Sequence, residues 1–161
     1  SMIDDAQIDL RCNSEMLIED YRLLRAGNRS VLYLIKGSLR KITGSIGKMA
    51  TDVYEMRTPM ATVGVRGTEY ALRVLQSHGC DGSLDVNSDG LFVKVNRGAI
   101  DLKNQSGTST LGEGNAAHID GKNSGPNGIN VGNGLFDAAK EEEDTSWWWW
   151  LLGIVLIAAA V

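Results

Sequence analysis

The residues best suited to bind a metal ion are Asp85, Asn87 and Asp89, which alternate through a turn-rich segment that ends at Gly90. Oxygen-bearing side chains at alternate positions before a glycine are typical of the first half of a calcium-binding loop. The second half is not present, because such a loop needs a glutamate where Asn96 stands, and the residues from Leu91 alternate as a strand does. We therefore expect a polar turn here, with a calcium site as the less favoured alternative, and we predict no cofactor.

The only two cysteines are Cys12 and Cys80. In an oxidising compartment they could form a disulfide that closes a long loop and stabilises the fold by about 4 kcal/mol. The alternative is one buried thiol and one thiol in a loop, and neither cysteine has a neighbour in the sequence that would activate a thiolate. His78 lies close to Cys80, but the spacing gives neither histidine a set of metal ligands.

The sequence contains no catalytic motif. It has no G-x-S-x-G nucleophile turn, no phosphate-binding glycine loop and no H-E-x-x-H pair. The net charge of -4 and the pI near 5.1 argue against a nucleic-acid partner. The residues therefore offer no candidate catalytic site.

The segment from Thr58 to Tyr70, TPMATVGVRGTEY, predicts two strands that meet at a corner. Apolar side chains occupy odd positions before the corner and even positions after it: Ala61, Val63 and Val65, then Tyr70, Leu72 and Val74. Only a bulge or a bend can return both sets to one core. We expect Gly67 to supply it, because glycine accepts backbone angles that are closed to other residues.

The same segment resembles the signature of the FecR domain family, a family of bacterial sensory and regulatory modules. The matching residues are Thr58, Pro59, Ala61, Thr62, Gly64, Arg66, Gly67, Thr68 and Glu69. The stretches 9–21, 39–48, 98–102 and 111–117 are also similar to parts of that family. The resemblance covers about the first three quarters of the chain, a span typical of one domain.

We expect these signature residues to act structurally, with contact to a partner as the alternative. Pro59 would fix the start of a strand, and Gly64 and Gly67 would allow close approach of the backbone. Arg66 would form a salt bridge with Glu69 or Asp52, and Thr68 would help to lock the corner by hydrogen bonds.

Composition and spacing predict an all-β domain over residues 1–120. Nineteen glycines suit tight turns, and short strands recur about every ten residues. Val31 to Ile35 predicts a strand covered on both faces and ended by Lys36-Gly37, with Ser38 to Thr43 as a further strand. The spacing leaves a β-sandwich and a β-solenoid-like arrangement open, and the FecR resemblance favours the solenoid.

The chain beyond residue 120 is predicted to leave the domain. Residues 121–146 are rich in glycine and asparagine and then acidic, which predicts a flexible linker. Residues 147–161 begin with four tryptophans and continue with apolar residues, which predicts the start of a transmembrane helix. Because about 20 residues are needed to span a bilayer, we expect a truncated helix that continues past Val161, with partial insertion or a buried core helix as alternatives.

The acidic flank before Trp147 predicts that the domain lies outside the cytoplasmic membrane, in the periplasm or beyond. No signal peptide is visible at Ser1, so we expect the chain to begin inside a longer protein. The FecR resemblance implies a protein that is not an enzyme and that acts by sensing or protein interaction in envelope signalling, with a protein of the cell envelope as partner. The founding regulators report the state of an outer-membrane transporter to a sigma factor, but their membrane helix precedes the domain, whereas here the apolar segment follows it.

Two other functions remain open from the sequence. The chain could be the N-terminal, membrane-retained part of a large surface protein or adhesin. It could also belong to an enzyme whose catalytic domain lies outside this sequence.

Overall fold

The computed structural model describes residues 2–11, 13–23, 27–46, 53–65, 67–75 and 89–130, which contain eleven strands and no helix. The strands are β1 Gln7–Leu10, β2 Glu15–Arg22, β3 Arg29–Ile42, β4 Val53–Arg57, β5 Thr62–Val65, β6 Glu69–Leu75, β7 Gly90–Arg97, β8 Ala99–Asn104, β9 Gly107–Gly112, β10 Ala116–Ile119 and β11 Asn127–Gly128. The all-β prediction is confirmed. Within these residues no helix is long and apolar enough to cross a bilayer.

Strand β3 is the element on which the fold is built, because it belongs to both halves of one curled sheet. Its first part pairs with β2 and, in parallel, with β4, and this half-sheet continues through β5, β8 and β9. Its second part pairs with β1 and β6, and that half-sheet continues through β7, β10 and β11. The sequence predicts a strand end at Lys36-Gly37, but the strand instead bends at Gly37, whose φ is +86°, and continues.

The two half-sheets share a single apolar core. Alternate side chains of each strand point inward, and those at most 1% exposed include Leu32, Leu34, Met56, Val63, Tyr70, Leu72, Val93 and Ile100. Each such side chain stabilises the fold by roughly 1.5–3 kcal/mol relative to exposure. Because β3–β4 is the one parallel pair among the described strands, the arrangement is nearer to the sandwich than to the solenoid.

The chain crosses between the half-sheets at residues with left-handed backbone angles. The crossing residues and their φ values are Asn13 (52°), Gly37 (86°), Gly67 (61°), Gly98 (86°) and Gly114 (77°). They fall between β1 and β2, within β3, between β5 and β6, between β7 and β8, and between β9 and β10. A repeated left-handed turn therefore folds the sheet over its own core.

The folded part extends beyond the boundary that the sequence places at residue 120. The amide of Gln105 donates to the Lys122 carbonyl (3.0 Å), and the side-chain amide of Asn104 donates to the Ser124 carbonyl (2.7 Å). Strand β11 then pairs with β10. Residues 121–130 are thus held by backbone hydrogen bonds, which need no apolar side chains, while the rest of the predicted linker and residues 147–161 lie outside the described residues.

Candidate functional site

The start of the signature segment, from Thr58 to Ala61, forms the turn between β4 and β5. The Thr58 hydroxyl donates to the Ala61 carbonyl (2.8 Å) and accepts from the Ala61 amide (3.1 Å). Its backbone amide also donates to the Ala61 carbonyl (3.0 Å). Pro59 therefore lies inside the turn and not at the start of a strand, since β5 begins at Thr62. Proline is favoured at the second residue of such a turn, because its fixed φ matches the angle that this position needs.

The predicted corner after β5 is present. Ala61, Val63 and Val65 are buried before it, and Tyr70, Leu72 and Val74 are buried after it. Gly67 has a φ of +61°, but apart from its two chain neighbours no atom of the described residues lies within 4 Å of a Cβ built there. Glycine is therefore required at Gly67 by the backbone angle and not by close approach.

Gly64 also differs from expectation. A Cβ at this position would meet no atom nearer than the Asp101 carbonyl oxygen, at 3.8 Å. That is ordinary van der Waals contact, so the predicted close approach of the backbone at Gly64 is wrong. Gly64 pairs with Glu55 on one side and Asp101 on the other, on the outer face of its half-sheet.

Thr68 and Glu69 secure the start of β6. The Thr43 hydroxyl accepts from the Thr68 amide (2.7 Å) and donates to the Thr68 carbonyl (2.9 Å). The Glu69 carboxylate accepts from Arg40 Nε (3.0 Å) and from the side-chain amide of Asn96 (3.3 Å). The hydrogen bond from Arg40 holds the pKa of Glu69 below its usual value. Arg66 and Asp52, for which a salt bridge is predicted, lie outside the described residues.

The other sequence-predicted site residues are only partly described. Cys12, Cys80, His78, Asp85 and Asn87 lie outside the described residues. Of the predicted calcium loop, Asp89 is described, and its carbonyl oxygen lies 3.2 Å from Nε2 of His118. The imidazole of His118 stacks on Phe92 with 4.1 Å between ring centroids. Among the described residues there is no cluster of three or more side chains that could hold a metal ion.

Sequence reasoning missed a buried polar cluster that fastens the N-terminal turn to the core. Asp4, which is 3% exposed, accepts hydrogen bonds from the Tyr21 hydroxyl (2.5 Å) and from the Ala6 amide (3.2 Å). The hydroxyls of Tyr54 and Tyr70 lie 3.1 Å apart. Lys41 is 1% exposed, and its Nζ lies 4.4 Å from the centre of the Tyr54 ring. The sequence signal for this burial is the spacing in β3, because Lys41 follows Leu39 by two residues and its side chain therefore points to the same, inner face of the sheet.

The charge on Lys41 is incompletely compensated. No hydrogen-bond partner for its Nζ is found in the described part of the chain. Burial lowers the pKa of Lys41 to about 8, and the attraction of Asp4 only partly opposes this. Burial likewise raises the pKa of Tyr21 to about 12 and raises the pKa values of Tyr54 and Tyr70. The cluster therefore makes the stability of the domain depend on pH.

The feature most suited to contact another protein is the edge formed by β1 and β2, which we call the N-terminal edge (Gln7–Leu10 and Glu15–Arg22). Both strands pair only with β3 among the described strands. The strongly exposed large apolar side chains of the described residues all lie on or beside this edge: Ile3, Leu10, Leu17, Ile18 and Leu23, between 44% and 78% exposed. In contrast, the edge strand β9 carries mainly threonine, serine and glycine.

Comparison with known proteins identifies the fold. No protein-family model matches the chain, and no curated protein sequence matches it. Two crystal structures, at 1.65 and 2.50 Å resolution, of a protein from Parabacteroides distasonis provisionally assigned as an anti-sigma factor match it with a TM-score of 0.59. The identities are 13% and 14%, and each match covers 80% of this chain and 53% of the other. The chain thus spans about half the length of these structures, and the likeness is one of fold.

Proposed function

We propose that this chain is a non-enzymatic FecR-like module that acts outside the cytoplasmic membrane, held there through residues 147–161, and that it transmits a signal by binding another protein. The partner is a protein of the cell envelope. The observation that carries this proposal is the concentration of exposed apolar side chains on the N-terminal edge.

An exposed apolar edge of this kind is costly unless a partner covers it. Leu17 and Ile18 are 52% and 53% exposed. Because full burial of such a side chain contributes about 1.5–3 kcal/mol, covering the exposed half of each would contribute roughly 1 kcal/mol per side chain. Leu17 and Ile18 lie opposite Tyr33 and Leu32 of β3, so their side chains point to opposite faces of the sheet, and a partner that contacts both must wrap around the free edge of β2. The β2 ladder is interrupted by register shifts at Glu15/Met16 and Ile18/Asp20, so we expect side-chain contact to matter more than extension of the sheet.

The fold supports a regulatory role. It is shared with a protein provisionally assigned as an anti-sigma factor, and the Thr58–Glu69 segment resembles the FecR signature. Because fold alone does not define function, the proposal depends on the edge and must be tested there.

The partner can be identified by photo-crosslinking in the source cells. We expect p-benzoylphenylalanine at Leu17 or Ile18 of the full chain to form an adduct with one defined envelope protein. The matched control carries the same group at Thr108 or Thr110 on β9, which is also an exposed edge strand. The adduct at Ile18 should disappear when Leu17 is replaced by Asp, because a buried carboxylate opposes the contact. An equal adduct pattern from β2 and β9, or none from β2, would refute the proposed role.

The location can be tested separately. Alkaline phosphatase, which is active only after export, is fused after Asn130 in the context of the natural gene. We expect an active fusion, and an inactive one would place the domain in the cytoplasm and remove envelope signalling from the proposal.

A further inference from the structure

A cleft of about 490 Å³ lies beside the Thr58–Ala61 turn. One wall is the turn itself, with Pro59 and Met60, and the other is formed by Lys103, Gln105 and Lys122. The backbone hydrogen bond between Gln105 and Lys122 fixes that second wall. The volume suits a few residues of a peptide, since ligand sites typically occupy about 300–1,000 Å³.

The charged side chains around the cleft are mainly positive, whereas the net charge of the whole chain is negative. Among the described residues, the lining of the cleft includes Arg57, Lys103 and Lys122 but a single carboxylate, Glu55, although the chain has a net charge of -4. The Arg57 guanidinium is already engaged, at 2.8 Å from Glu55 and 2.9 Å from Glu19. Within the described residues, Lys103 and Lys122 have no carboxylate within 4.0 Å, so two ammonium groups are left to attract an anionic ligand.

The uncharged residues that line the cleft indicate which class of anionic ligand it fits. Pro59, Met60 and Ala61 give the cleft an apolar side next to its cations. A nucleic acid is disfavoured because the lining residues in the described part of the chain include no aromatic side chain on which a base could stack. An extended peptide places alternate side chains on one face, so acidic residues can meet the lysines while an apolar residue between them meets the turn.

We infer that this cleft binds an acidic, extended peptide segment of the partner protein, with Lys103 and Lys122 pairing with its carboxylates and Pro59 and Met60 contacting its apolar side chains. The inference rests on the proposed function, and it gives the Thr58–Thr62 part of the signature a second, binding role. Charge-assisted contacts are roughly twice as strong as neutral ones, so the two lysines should dominate the affinity.

The test uses the full chain and fluorescence anisotropy of a blocked, dye-labelled peptide of alternating glutamate and leucine. We expect saturable binding that weakens at least ~10-fold in the variant with both Lys103→Gln and Lys122→Gln. A control with Lys36→Gln and Lys94→Gln removes the same charge elsewhere and should change the dissociation constant less than ~2-fold. The same peptide with glutamine for glutamate should also bind at least ~10-fold more weakly.

Several results would overturn the inference. These are an absence of binding to the unmodified chain, equal loss in the two double variants, or equal binding of the acidic and the glutamine peptides. Because the four lysines are on the surface, unchanged melting curves will show that each variant is folded. If the peptide fails to bind but the crosslink at Leu17 forms, the proposed function stands and the inference about the cleft is refuted. If the peptide binds but no crosslink forms, the cleft binds acidic peptides and the proposed role of the N-terminal edge is refuted.

Discussion

A Cβ atom placed on Gly98 would lie 2.6 Å from Cγ2 of Thr68, so the corner between β7 and β8 packs directly against the corner between β5 and β6. The same added Cβ would lie 3.3 Å from the Gly67 carbonyl oxygen. Thr68 is 2% exposed and its backbone is held by three hydrogen bonds with Thr43, so it has little freedom to move. The two crossings of the curled sheet therefore form one packed unit.

This contact predicts that Gly98→Ala is strongly destabilising. The backbone angle of +86° and the steric overlap together should lower the free energy of unfolding by about 3 kcal/mol. Chemical denaturation of Gly98→Ala, Thr68→Ser and the double variant gives the coupling between the corners. Because Thr68→Ser removes the clashing methyl group, we expect Gly98→Ala to cost at least ~1 kcal/mol less in its presence. Additive effects of the two substitutions would contradict the contact.

The two signature glycines should respond differently to the same substitution. Gly67→Ala should destabilise by about 1–2 kcal/mol, because φ is +61° although space is open. Gly67→Asn should cost less, since asparagine tolerates this region better. Gly64→Ala should lie within about 0.5 kcal/mol of the unmodified protein. Thermal and urea unfolding will distinguish the two sites, and a neutral Gly67→Ala would show that the corner does not depend on a left-handed residue.

The sequence predicted the corner at Gly67 because the apolar alternation changes from odd to even positions there. The same signal marks Gly98, where Leu91, Val93 and Val95 precede Ile100 and Leu102, and it could have located the second corner. Pairing between distant strands has no comparable signature. The parallel pairing of β3 with β4 and the continuation of β3 through Gly37 depend on tertiary contacts, so Lys36-Gly37 was misread as a strand end.

The candidate sites were less predictable than the fold. Charge made Lys41 look like a surface residue, although its position in the alternation pointed inward. The cleft could not be foreseen, because Lys122 belongs to a glycine-rich segment that comes close to β8 only through backbone hydrogen bonds. Hydrogen bonds of the backbone do not depend on the alternation of apolar and polar side chains, which is the pattern from which strands are predicted.

Thr58 should contribute to stability through its hydroxyl. That group bonds both the amide and the carbonyl of Ala61 and is buried. Thr58→Val would leave the Ala61 amide without its acceptor, whereas the Ala61 carbonyl would keep the hydrogen bond from the Thr58 backbone amide. We expect a loss of about 1–3 kcal/mol in urea unfolding. Thr58→Ser keeps the hydroxyl and should retain most of the stability. A stable Thr58→Val variant beside a destabilised Thr58→Ser variant would instead show that the methyl group, which valine keeps and serine lacks, is the important part.

The lowered pKa of Lys41 predicts that the free energy of unfolding rises as the pH is raised above neutrality. Its pKa is lowered from 10.5 to about 8 in the folded state, so between these values the unfolded chain binds more protons than the folded one. Raising the pH from 7.5 to 9.5 should therefore increase the free energy of unfolding by about 2 kcal/mol. The tyrosines act in the opposite direction above pH 10, because their raised pKa values favour folding only while the phenols remain protonated.

Lys41→Met isolates this contribution, because methionine keeps a similar shape and removes the buried charge. We expect the variant to be at least as stable as the unmodified protein at pH 7.5, by up to about 3 kcal/mol, since replacing an uncompensated buried charge with an apolar side chain is commonly stabilising. Its free energy of unfolding should also lose the rise between pH 7.5 and 9.5, while titration of other groups affects both proteins alike. Urea unfolding at several pH values measures both effects, and an unchanged slope in Lys41→Met would show that Lys41 is not the group that titrates.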